Sequence, residues 1–122
     1  MRWSAVLALL AAVLGCGGTE PPSAAPRDVA AVKSCLESKG LEVVGGAFKP
    51  APGDADAPDR GQLITRGALI GFYSSAELAE QRAEAVRRNA RRMNGTLERH
   101  GDAGVIYLDN SARPAVTSCL RN

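Results

Sequence analysis

A chain of 122 residues with 45% apolar and 23% charged side chains is long enough for one globular domain with a real core. Its formal net charge of +2 lacks the strongly basic balance of a nucleic-acid binder, and no nucleic-acid partner is expected. One histidine and three cysteines make no metal-ligand spacing, so neither a metal nor a cofactor is expected.

Met1 and Arg2 give a positive start, and Ala5 to Leu14 is an unbroken apolar run of ten residues. Crossing a bilayer as a helix takes roughly 20 residues, so this run suits the apolar core of a signal peptide instead. It ends in Val13-Leu14-Gly15-Cys16, which resembles the lipobox of bacterial lipoproteins. The resemblance covers residues 1–16. It implies a precursor whose signal peptide, residues 1–15, is removed, leaving Cys16 as an acylated (palmitate-type) first residue. It also implies anchorage outside the cytoplasm to a bacterial membrane, either the cell membrane or an outer membrane. Gly17 to Pro26 then consists of small, polar and proline residues. Such a segment buries too little apolar surface to offset the entropy of ordering, so residues 16–27 read as a linker.

Residues 28–122 read as a single α+β domain. Asp28 can cap a helix in which Val29, Val32, Cys35 and Leu36 recur at helical spacing, and Gly40 is a stop. Leu41 to Val44 reads as a short strand, and Gly45 to Gly61 as a loop carrying Asp54, Asp56 and Asp59. These aspartates lack the calcium-loop pattern, and a solvated loop is expected. Leu63 to Tyr73 reads as one strand, with Gly67 and Gly71 marking a bulge or a close backbone approach. Ser74 and Glu77 form a capping-box pattern for a helix to Asn94-Gly95, with Ala76, Ala79, Ala83, Val86, Ala90 and Met93 as its apolar stripe. Thr96 to His100 and Val105 to Leu108 read as a hairpin around Gly101–Gly104. A last helix begins near Ser111, with Pro114 in its first turn and Val116, Cys119 and Leu120 facing inward. The order is α-β-β-α-β-β-α: about four mostly antiparallel strands, with the helices expected on one face.

With Cys16 assigned to lipid, Cys35 and Cys119 remain as an even pair, expected to form a disulfide outside the cytoplasm. Closing a loop of this length is worth at most roughly 4–5 kcal/mol in the chain-entropy model.

Three groups of residues carry candidate function. Arg87, Arg88, Arg91 and Arg92 share the outward arc of the long helix and form a possible anion-binding patch for anionic lipid or envelope polymer. Glu77, Glu80 and Glu84 on the first half of that arc make a solvated face the competing explanation. His100, with Asp102 two residues on, is the one seed for a hydrolase, and Ser111, Thr117 and Ser118 are its candidate nucleophiles. No catalytic set is assembled around it, and no enzyme is expected. The mature domain keeps few aromatics, which argues against base-stacking platforms. The expectation is a membrane-anchored, non-enzymatic binding or accessory module of the cell envelope, with an envelope protein as its partner. The alternative is binding of anionic lipid or polymer through the arginines.

Overall fold

The computed structural model describes residues 27–47 and 57–121. Cys16, the lipobox and most of the acidic loop lie outside the described residues. The elements run α1 (Val29–Ser38), β1 (Val44–Ala47), β2 (Gly61–Thr65), β3 (Ala68–Phe72), α2 (Ala76–Arg92), β4 (Thr96–His100), β5 (Ala103–Tyr107) and α3 (Arg113–Arg121). The fold is α+β: one five-stranded antiparallel sheet in the order β1-β2-β3-β5-β4, with three helices.

The run from Leu63 to Tyr73, expected as one strand, is a hairpin. Thr65 pairs with Ala68 across a two-residue turn in which Gly67 has φ 68°, a left-handed conformation that glycine adopts without steric cost. The turn shifts the alternation by one residue, so the buried face passes from Leu63 and Thr65 to Ala68, Ile70 and Phe72. The Gly101-Asp102 turn between β4 and β5 is also shorter than expected. Ala103 pairs with His100, and Gly101 at φ 65° occupies the first central position, where a type II′ turn places glycine. The first strand lies later than expected, at Val44–Ala47, where Gly45 and Gly61 let β1 and β2 approach closely.

Strands β3 and β4 both run antiparallel to β5, which lies between them, so β3 and β4 are parallel to each other. Helix α2 makes the crossover that a parallel pair requires, giving a split βαβ unit. Its N-cap is Ser75 rather than Ser74: the Ser75 Oγ accepts the Leu78 N–H at 3.0 Å. Ser74 is held instead by its own N–H, which donates to Asp59 Oδ1 at 2.9 Å. The helix stops at Asn94, φ 59°, where the Gly95 N–H returns to the Ala90 carbonyl at 2.7 Å.

The helices do not all pack on one face, as the sequence suggested. Helices α1 and α3 cover the face formed by Leu63, Ile70, Phe72, Val105 and Tyr107, and this is the main core. The disulfide between Cys35 and Cys119, with Cα atoms 5.8 Å apart, joins these two helices. Helix α2 lies on the opposite face, where Ala79, Ala83 and Val86 meet Leu97 and Gly104. Alternate residues of β4 and β5 supply a second apolar surface there, and the small residues of α2 let the helix settle onto it. No helix among the described residues is long and apolar enough to cross a membrane.

Arg27, assigned from sequence to the linker, is tied into the domain. Its Nε and its backbone N–H donate to the two oxygens of Asp102, at 2.8 and 3.0 Å. Its guanidinium also reaches the carbonyls of His100 and Leu120.

Candidate functional site: a half-covered sheet face beside the arginine helix

In an antiparallel sheet, directly paired residues project from the same face. The register places Val44 opposite Ile64, Ile64 opposite Leu69, Leu69 opposite Ile106, and Ile106 opposite Leu97. One apolar row therefore crosses all five strands on the face that carries α2. The helix covers the β4 and β5 end of the row. At the other end Ile64 is 43% and Val44 59% exposed. The sequence could not show this row, because its five residues come from five strands whose order was not derivable.

Between α2 and the bare strands lies an open groove of about 440 Å³. Leu69 and Ile106 form its floor, with Gly71 and Gly104 paired beside them. Val86 of α2 and Met93, the C-cap of that helix, form one wall, and Pro58 stands at the end nearer Tyr73. Gly71 is required there, since a Cβ would lie 2.8 Å from the Pro58 ring. The polar lining includes Gln62, Tyr73, Asn89 and Arg92, with no carboxylate among the described residues.

The four candidate arginines do not act as a unit. Arg92 lines the groove, where its Nη1 donates to Asn89 Oδ1 at 3.2 Å. Arg87 pairs with Glu84 at 3.2 Å in an exposed i,i+3 bridge. Arg88 and Arg91 are exposed and have no ion-pair partner among the described residues. Arg82, outside that set, reaches across the end of the groove toward the Ala57 carbonyl at 3.5 Å. Sequence spacing already distinguishes Arg82 and Arg92, which fall on the Asn89 side of the helix.

His100 belongs to a different constellation on the other face. Its Nε2 lies 2.9 Å from Glu98 Oε1, while Glu98 Oε2 accepts from Arg113 at 2.6 Å. The Arg113 guanidinium stacks 4.1 Å above the Tyr107 ring. The hydroxyls offered by sequence point elsewhere: Ser111 donates to Asp109, and Thr117 faces the Tyr107 hydroxyl. The Ser111 hydrogen bonds hold the Asp109 carboxyl below its usual range. Burial pushes the Tyr107 phenol upward against the opposing effect of the neighbouring Thr117 side chain, and the phenol oxygen is buried with no hydrogen-bond partner among the described residues. Among the described residues no three histidine, cysteine or acidic side chains converge on a possible metal position.

Comparison of the chain with protein-family models, curated proteins and solved structures returns no match.

Proposed function

We propose that this chain is a lipid-tethered, non-enzymatic binding module of the bacterial cell envelope that engages a protein partner. The anchoring half of this reading stands on the Val13-Leu14-Gly15-Cys16 lipobox, and the binding half on the groove between α2 and the uncovered strands. A water-exposed apolar row beside an otherwise well-packed core is the kind of surface that marks an interaction site. Acylation of Cys16 would hold the domain at a membrane surface outside the cytoplasm, in the cell membrane or the outer membrane according to the host. Two or more acyl chains, each buried methylene contributing about 0.8 kcal/mol, suffice for stable anchoring. Residues 17–26 would let the domain stand clear of that surface.

Two experiments test the two halves separately. Radiolabelled palmitate should enter the full-length protein and be lost in Cys16→Ser; equal labelling of both proteins defeats the anchor. In-cell crosslinking of the lipidated protein, with detergent purification and mass spectrometry, should return one stoichiometric envelope protein. Crosslinks scattered at background level would remove the accessory-module reading.

A second reading is supported by Arg88 and Arg91, whose exposed charges lack carboxylate partners among the described residues. On a tethered domain, each such charge near an anionic surface contributes about 1 kcal/mol. Salt-sensitive binding of the protein to phosphatidylglycerol vesicles that disappears in the quadruple Arg87, Arg88, Arg91 and Arg92 to Gln variant would favour it. Binding unchanged in that variant would end it.

A further inference from the structure

We infer that the groove beside α2 is the docking slot for one amphipathic helix of a partner protein, apolar on the docked face and acidic along its flank. The inference deepens the binding-module reading and rests on it, but it is independent of the lipid anchor.

The size of the bare surface sets the occupant. Among the described residues, helix α2 lies over β4 and β5, and apart from Pro58 against Gly71 no element covers β3, β2 or β1 on that face. Strands are spaced about 4.8 Å apart, so the uncovered width is on the order of 10–14 Å. A single helix with its side chains is about 10–12 Å across, and packed helices lie about 8–10 Å apart. A second helix beside α2 would therefore sit over β2 and β3, on Leu69 and Ile64. An acyl chain, far narrower, would leave Ile64 and Val44 wet.

Charge selects the sequence of that helix. Arg92 lines the slot and Arg82 crosses its end, and neither has a carboxylate partner among the described residues. Glu84 and Glu80 are engaged away from the slot, with Arg87 and with Arg99 of β4. An acidic flank would complement this rim. A second copy of this chain would not supply one from its own groove, whose lining carries no carboxylate among the described residues. Helix-in-groove docking of this kind is read through apolar anchors at i, i+3, i+4 and i+7.

The test uses the full chain carrying Cys16→Ser, so that no acyl group is attached, and two synthetic peptides. Each is about 18 residues long, matched to the 17-residue α2, and has leucine at the anchor positions. One has glutamate on its flanks and the other lysine. Fluorescence anisotropy should show the glutamate peptide binding at least about tenfold more tightly. Ile64→Asp should weaken it by more than about tenfold, and this position is exposed enough to leave the fold intact, which circular dichroism checks. Arg92→Glu should reverse the preference between the peptides. Equal or absent binding of the two peptides, or binding indifferent to Ile64→Asp, overturns the assignment. So does a concentration-dependent dimer that Ile64→Asp splits, or vesicle binding through Ile64 without peptide binding. The in-cell crosslinking described above detects a partner at any surface, so success there with failure here removes this slot and leaves the module reading standing.

Discussion

Arg27 and Asp102 are 75 residues apart in sequence, and they meet through two hydrogen bonds that engage both carboxylate oxygens. Their side chains are 20% and 13% exposed, so the pair is screened only in part. The contact fastens the first described residue to the β4–β5 turn, and the same guanidinium binds the end of α3. Asp102→Ala leaves the guanidinium with carbonyl partners alone. It should lower the unfolding free energy by about 1–3 kcal/mol, read from urea titration of the full chain. A change below a few tenths would show the contact to be incidental.

The Cys35–Cys119 bridge joins helices that lie 84 residues apart, and Cys119 is 4% exposed. Reduction, or the double change to alanine, should cost about 2–5 kcal/mol. Cys119→Ser should cost more than Cys119→Ala, because the serine hydroxyl would be buried without an assured partner. Denaturant curves with and without reductant measure both effects.

Gly71 and Gly104 pair directly across β3 and β5 and should respond differently to alanine. At Gly71 the new Cβ would lie 2.8 Å from the Pro58 ring, whereas at Gly104 it would meet Leu97 at an ordinary 3.6 Å. Gly104→Ala should be neutral or stabilise by about 0.5–1 kcal/mol through lower unfolded-state entropy. Gly71→Ala should destabilise. Thermal melts of the two variants check the ranking, and the reverse order would contradict the geometry of the groove floor.

Tyr107 should set part of the alkaline stability profile. Burial raises its pKa above the usual 10.0, so the native state holds the phenolic proton more tightly than the unfolded chain. The associated stability is therefore full below about pH 10 and lost as pH rises through the elevated folded value. Tyr107→Phe should shrink this alkaline loss. At neutral pH it should be neutral or stabilising by up to about 1 kcal/mol, since the hydroxyl it removes is buried without a hydrogen bond. Unfolding free energies of the two proteins at pH 7 and above pH 10 provide the check.

Residues near one another in the chain determined most of what was legible in the sequence. Val29, Val32 and Leu36 recur at helical spacing and are buried as that spacing implies. Val116, Cys119 and Leu120 do the same for the last helix, and the even cysteine pair is joined. The stop at Asn94-Gly95 is a local backbone property and was readable as one. The resemblance of Val13-Leu14-Gly15-Cys16 to a lipobox is a linear pattern, read from sequence alone. Reversals and caps were less legible. The Arg66-Gly67 turn shifts the buried alternation by one residue inside an otherwise apolar run, and the N-cap is Ser75 while the Ser74 N–H donates to Asp59, 15 residues away. Strand order was decided only by tertiary structure, since the pairing of β3 with β5 and the crossover of α2 depend on long-range packing. That order assembled Val44, Ile64, Leu69, Ile106 and Leu97 into one row and put α2 over half of it. It also separated Arg92, on the groove, from Arg87, which turns to Glu84. A helical repeat records which residues share a helix face, but not the neighbour that face meets. The sheet register supplies that neighbour, and with it the candidate site.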